Sequence, residues 1–127
     1  MSQPSLHNHA CVWFEIPVTN LARSAKFYED ILQVSLKREA FGPGELAVFP
    51  TTNGKSSGCL MHGASTAAGS GGTVVYLSVD GQLDQVLART ETAGGKIVLG
   101  KTALPDNMGS FARIRDCEGN TIGLHAA

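Results

Sequence analysis

The sequence is short of charge. Only 17% of its 127 residues are Asp, Glu, Lys or Arg, against roughly 25% in an ordinary soluble domain. Ten basic residues nearly cancel eleven acidic ones, leaving a net charge of -1. With no basic cluster, that balance argues against a nucleic-acid module and against a large steering field. Cysteine is also scarce. Cys11, Cys59 and Cys117 are far apart and form no CxxC pair, so neither a zinc knuckle nor a thioredoxin-like site is indicated. Reduced thiols in a cytoplasmic protein are the expectation. No apolar run approaches the roughly 18 residues that a membrane helix needs. Residues 1–10 have neither a basic start nor an apolar stretch and do not read as a signal peptide. No Ser-His-Asp order, phosphate loop or paired-carboxylate spacing is present, so nucleophilic and phosphoryl-transfer chemistry has no carrier.

What is present is apolar residues and glycine. An apolar content of 43% with so little net charge excludes disorder as the main state. The length suits one domain over 1–127, able to bury about two thirds of its surface. Fifteen glycines predict many turns and hence many short strands. Residues 10–18 (ACVWFEIPV) are β-branched, aromatic and apolar and read as a strand. Asn20 suits a helix cap, and Leu21, Ala25, Tyr28 and Leu32 recur on one face of a helix. Strands follow over 35–40, 45–49 and 57–62, with Asn53-Gly54 as a hairpin signal. The uncharged run GASTAAGSGG at 63–72 reads as a flexible linker.

After the linker the pattern starts again. A strand over 73–79 leads to a helix with Leu83, Val86, Leu87 and Thr90 on one face, ended by Gly94-Gly95. Strands over 96–100, 110–115 and 120–125 complete the half, with a loop over 104–109 and a turn at Asp116-Cys117-Glu118-Gly119. The strands before the helices end at Val18 and Val79, an offset of 61. Matching Leu60-Met61-His62-Gly63 to Gly123-Leu124-His125-Ala126 gives the closing strands an offset of 63. Module one (about 10–63) and module two (about 73–127) are thus two βαβββ units. They predict an α+β fold with one curved eight-stranded mixed sheet, helices on the convex face and a pocket on the concave face. Open sheet edges and apolar helix faces further predict a homodimer.

The run Val18-Thr19-Asn20-Leu21, with Arg23-Ser24, Lys26-Phe27-Tyr28 and Leu32, resembles the opening of the vicinal oxygen chelate superfamily. That superfamily includes glyoxalase I, bleomycin- and fosfomycin-resistance proteins and extradiol dioxygenases. Tyr76 to Asp80, Ala93-Gly94-Gly95, and Asp116 to Asn120 followed by Ile122-Gly123-Leu124 extend the resemblance over nearly the whole chain. In metal-dependent members, one His, Gln or Glu from each of four strands holds a divalent cation. The resemblance places these positions at Trp13, Leu60, Val74 and Gly123. None of these side chains can serve, so the resemblance implies a protein with no metal or other cofactor there, and it argues against glyoxalase I and dioxygenase chemistry.

Side chains alternate along a strand. On that basis Trp13, Glu15, His62, Tyr76, Phe111, Arg113 and His125 face the cleft, and Cys59 packs under the helices. The set is aromatic-rich with a few polar groups, as small-molecule sites usually are. Glu15 is a candidate catalytic base or an ion-pair partner of Arg113. Trp13 is a stacking platform or a packed aromatic. His62 and His125, at matching places, are a metal pair or ordinary hydrogen-bonded histidines. His7 and His9 form a two-nitrogen pair too sparse to be a site. The expected ligand is a small organic molecule, planar or partly apolar, with an ionisable group, and Met108 on the 104–109 loop is a lid candidate. The leading expectation is a binding protein. An alternative is a lyase or isomerase using Glu15 with a histidine, or a metal at a shifted site. A regulatory protein without ligand is the third.

Overall fold

The computed structural model describes residue 11 and residues 13–52, 55–63, 69 and 72–127. The Asn53-Gly54 hairpin, the His7/His9 pair and most of the linker lie outside the described residues. The element order is β1 (Trp13–Val18), α1 (Leu21–Leu32), β2 (Lys37–Phe41), β3 (Gly44–Val48), β4 (Ser57–His62), β5 (Val75–Ser78), α2 (Leu83–Thr90), β6 (Lys96–Ala103), β7 (Ser110–Arg115) and β8 (Thr121–Ala126). The fold is α+β, built from two βαβββ modules. Strand β6 runs three residues further than the sequence suggests, because Ala103 pairs with Ser110 across the 104–109 loop.

Local chemistry accounts for the first helix. The Asn20 side chain accepts the Arg23 N–H at 3.0 Å, capping the start. Gln33, at φ 58°, ends the helix by donating its N–H to the Glu29 carbonyl. Leu21, Ser24, Ala25, Phe27, Tyr28 and Ile31 form the buried face. Helix α2 buries Leu83, Val86 and Thr90. One continuous core joins these faces to Ile16, Val18, Ala47 and Leu60 of module one and to Leu77, Ala112, Ile114, Ile122 and Leu124 of module two.

The strands form two four-stranded sheets, in the orders β1-β4-β3-β2 and β5-β8-β7-β6. The single continuous eight-stranded sheet expected from the repeat is therefore divided at its centre. Within each sheet the opening and closing strands run parallel, β1 with β4 and β5 with β8. The two inner edges, β1 and β5, form no ladder with each other. Pro17 on β1 has no N–H to donate to such a ladder.

Side chains join the modules instead. The buried Tyr28 hydroxyl donates to Asp116 at 2.7 Å, and burial, reinforced by the Asp116 charge, holds the Tyr28 hydroxyl well above its ordinary pKa. Asn120 donates to the Pro17 carbonyl at 3.0 Å and to Asp116 at 3.1 Å. Glu118 accepts from Thr19 Oγ1 at 2.6 Å, from the Asn20 backbone N–H at 2.8 Å and from Ser24 Oγ at 3.2 Å. Arg23 adds an ion pair to Glu118 at 3.1 Å. Arg89 of α2 donates to the Ile31 carbonyl of α1 at 3.0 Å. Helix α1 has no acidic residue in its own first turn, so Glu118 supplies the negative charge that a helix N-terminus favours.

Burial of the Glu118 carboxyl pushes its pKa up, but the Thr19, Asn20 and Ser24 hydrogen bonds outweigh that and bring it down to about 2, from an ordinary 4.5. Because the folded-state value is the lower one, the unfolded chain takes up this proton first as pH falls. The stabilisation is therefore complete above about pH 4.5 and is lost as pH falls towards 2. Glu118→Gln should cost about 2 kcal/mol at pH 7, since hydrogen bonds to a buried charge are replaced by neutral ones. The gap to the wild type should close between pH 4.5 and pH 2. Urea unfolding across that pH range reads both effects.

Candidate functional site

Pairing in the second sheet fixes which side chains share its cleft face. Tyr76 is registered with Gly123, Ser78 with His125, Phe111 with His125 and Arg113 with Gly123. The alternate residues Leu77, Ala112, Ile114, Ile122 and Leu124 are buried in the core. Tyr76, Phe111, Arg113 and His125 therefore come together, as alternation predicts, and with Leu104 they line a cavity of about 320 Å3. Nothing in the 104–109 segment's composition singles out Leu104. It is placed by the end of β6, where the chain turns and the Leu104 N–H bonds to the Gly109 carbonyl at 2.8 Å.

The cluster is tightly arranged. Arg113 Nε donates to the Tyr76 hydroxyl at 2.7 Å. Its guanidinium carbon lies 5.8 Å from the Tyr76 ring centre and 5.7 Å from that of Phe111, within cation–π range. The two rings meet edge to face at 6.2 Å. Among the described residues, nothing bonds to the terminal nitrogens of Arg113, which leaves four of the five guanidinium donors for a ligand. His125 Nε2 is 2.8 Å from the Met108 carbonyl, so this ring is a hydrogen-bonded histidine at a strand end. Met108 itself is 57% exposed, and its backbone rather than its side chain meets the site.

Gly123 explains how the Tyr76 ring reaches this position. A Cβ at residue 123 would collide with three ring carbons of Tyr76, so the ring lies directly on the glycine backbone. This is a close-approach glycine within a strand.

The first sheet departs from the expected alignment. Glu15 is registered with Cys59 and Pro17 with Met61, whereas Leu60 pairs with Ile16 in the core. Cys59 and Met61 thus share the face of Glu15, and Leu60 packs under the helices, the reverse of the sequence expectation. His62 pairs with Val18 and lies on the opposite face from Glu15, exposed at the end of β4. The opening strands do match at an offset of 61 (15 to 76), but the closing strands match at 64 (59 to 123), one more than the His-Gly/His-Ala match suggests. His62 and His125 are therefore not equivalent.

Trp13 and Glu15 share the cleft-side face of β1, both exposed, but neither lines the cavity around Arg113. The ion pair expected between Glu15 and Arg113 is absent, and Arg113 is turned to Tyr76 instead.

The donor set does not suit the family's metal. With the corrected register, the four positions are Trp13, Cys59, Val74 and Gly123. Cys59 alone has a donor atom, and burial, with the nearby Glu15 charge, pushes its thiol up to about 11. A neutral thiol at physiological pH is a poor ligand. The space above Gly123 is taken by the Tyr76 ring. Among the described residues, no three His, Cys, Asp or Glu side chains gather at one point.

Comparison with known proteins agrees with the duplicated fold. Residues 9–124 match the family model described as the glyoxalase/bleomycin resistance protein/dioxygenase superfamily. The chain belongs to this superfamily. A glyoxylase/bleomycin resistance protein/dioxygenase domain from Frankia sp. EAN1pec is 20% identical, with TM-score 0.69, covering 97% of this chain and 99% of that one. The fosfomycin resistance protein FosX of Listeria monocytogenes is 15% identical, with TM-score 0.64, covering 100% and 95%. A glyoxalase I mutant from Zea mays is 20% identical, with TM-score 0.67, covering 90% of this chain but only 45% of its own. At these identities the likeness is one of fold. No curated protein matches the sequence. No described helix is long and apolar enough to cross a membrane.

Gly123→Ala should push the Tyr76 ring off the sheet and break its bond to Arg113. Tyr76 is 43% exposed and free to swing outward, so stability should fall by only about 1 kcal/mol or less. A crystal structure of the variant, with a thermal melt alongside, checks both parts.

Proposed function

We propose that the protein binds a small organic anion with an apolar or aromatic body in the concave cleft of module two, without a metal. The observation that carries this reading is the Arg113 guanidinium held against Tyr76 and Phe111 with no described residue bonded to its terminal nitrogens. A planar fork with four unused donors suits a carboxylate, and the flanking rings and Leu104 suit an apolar body. The bond to Tyr76 holds the guanidinium in place before a ligand arrives, which lowers the ordering cost of binding. The unsuitable donor set at the four family positions favours binding over metal-assisted chemistry.

Pairing of two copies is part of the same reading. Strand β6 is an outer edge of its sheet and exposes Ile97, Val98 and Leu99 in succession. Such an edge is ordinarily covered. Three free cysteines are consistent with a reducing, cytoplasmic setting.

Phenylacetate and benzoate are suitable probes, titrated by calorimetry. Arg113→Ala should weaken binding by tenfold or more, because a charge-assisted hydrogen bond contributes roughly 1.5–3 kcal/mol. Trp13, the sole tryptophan, lies on the cleft-side face of the other sheet and outside this cavity, so its emission should change only for a ligand long enough to reach across to β1. Unchanged affinity in Arg113→Ala would count against this site.

A further inference from the structure

The two ends of the seam between the modules are built differently. At one end, the module-two turn locks onto module one, Glu118 at the start of α1, Asp116 at Tyr28 of the same helix and Asn120 at the Pro17 carbonyl of β1. The cavity left there is only about 120 Å3. At the other end, Pro50, Thr51, Ser56 and Ser57 of module one face Val79, Gln82 and Val86 around the start of α2, and there the seam opens into a cavity of about 480 Å3.

The residues at matching places account for the difference. Ser24, fourth in α1, donates to Glu118, whereas Val86, fourth in α2, presents only methyl groups. Tyr28, eighth in α1, reaches across the seam, whereas Thr90, eighth in α2, turns back to the Val86 carbonyl at 2.8 Å. The module-one turn has Thr51 where module two has Asp116. Thr51 bonds to the Lys55 carbonyl within its own turn. Among the described residues, no side chain of that turn bonds to α2.

The wall of the open end is predominantly apolar and includes Phe14, Phe49, Leu77, Val79 and Val86. Most of its polar groups are already engaged, Ser78 and Gln82 being the exposed exceptions. Ser57 donates to the Phe49 carbonyl at 2.6 Å, Ser56 to the Cys11 carbonyl at 3.3 Å, and Asp80 accepts the Ala127 N–H at 2.7 Å. Asp80 is the one charged group among the described lining residues. No described lining residue is cationic, so none of them receives an anion, and the carboxylate repels one. Phe14 and Phe49 belong to the face opposite Glu15, so this part of the cavity lies away from the cleft around Arg113, and of the residues lining that cleft Tyr76 alone also borders this cavity.

We infer that the open end of the seam is a second binding site, which takes a neutral, predominantly apolar small molecule between the two modules. Its volume falls within the roughly 300–1,000 Å3 usual for small-molecule sites. Both modules contribute wall residues, so an occupant bridges them where the polar lock of the opposite end is missing. Its chemistry is complementary to that of the Arg113 cleft, one site suiting an anion and the other an uncharged apolar body.

The test uses the full chain and 1-aminoanthracene, a neutral fused-ring fluorophore. The expected result is saturable one-to-one binding with methyl NMR shifts concentrated at Leu77, Val79 and Val86. Val34, half-exposed at the cavity rim, gives a variant that fills the space. Val34→Trp should weaken the probe at least tenfold. Thr51→Trp, at an exposed position, serves the same purpose if the first variant does not fold. Absence of saturable binding would overturn the inference, as would shifts centred on Leu104, or affinity unchanged in the folded filling variant. Nuclear Overhauser contacts from residues 1–10 to Val79 and Val86 in the free protein would overturn it too, by showing the chain's own N-terminal segment in the cavity. A probe signal that falls as protein concentration rises would do so by placing a second copy there.

Discussion

The structure depends on two carboxylates that module two sends into module one. Asp116 and Glu118 sit on the turn between β7 and β8, yet their partners are Tyr28, Thr19, Asn20, Ser24 and Arg23 around α1. Desolvating a carboxylate is costly unless its oxygens are fully hydrogen-bonded. Here they are: Asp116 also accepts the backbone N–H groups of Glu118 and Asn120, both at 2.9 Å. No buried side-chain nitrogen or oxygen among the described residues lacks a partner. The turn thus has one low-energy position, and that position sets where the second sheet lies against the first. In the absence of a β1–β5 ladder, this lock and the shared apolar core define the relation of the modules.

The candidate site inherits its precision from that arrangement. Strand β8 leaves the locked turn at Thr121, and two residues later Gly123 forms the floor under Tyr76. Tyr76 then holds Arg113, and Phe111 closes the other side. Each step is a strand-register consequence of the one before. Sites on strands keep such geometry better than sites on loops. The first sheet carries no matching cluster. At the equivalent places stand Glu15, Cys59 and Met61 instead of Tyr76, Gly123 and His125. The duplication preserved the backbone and let the two cleft faces diverge, a division of labour that fold similarity alone does not reveal.

Much of the fold was legible in the chain. The cap at Asn20, the apolar spacing of α1, the turn glycines and the repeat itself each follow from local preference, and all agree with one another. In module two, alternation alone identified Tyr76, Phe111, Arg113 and His125, because β7 and β8 are short and continuous between clear turns. In module one the same reasoning failed by one residue on β4. The Leu-Met-His-Gly match drew His62 onto His125, and in a strand a one-residue slip exchanges the two faces. Glu15 and Arg113 were expected to meet because opposite charges on one face suggest a pair. The nearer Tyr76 hydroxyl takes Arg113 instead.

The sequence by itself determined the two βαβββ modules, the cap at Asn20 and the cleft-face residues of the second sheet. These rest on residue type and spacing, which act over a few neighbours. Tertiary structure decided the division into two sheets, the register that turns Cys59 and Met61 towards Glu15, the lock at Asp116 and Glu118, and the open seam at Val86. Each of these depends on contacts between residues some 40 to 100 positions apart, such as Glu15 with Cys59 and Thr19 with Glu118. Neither composition nor periodicity carries information at that separation. Only the packed chain, satisfying its buried polar groups and filling its core together, selects among the registers that local preference leaves open.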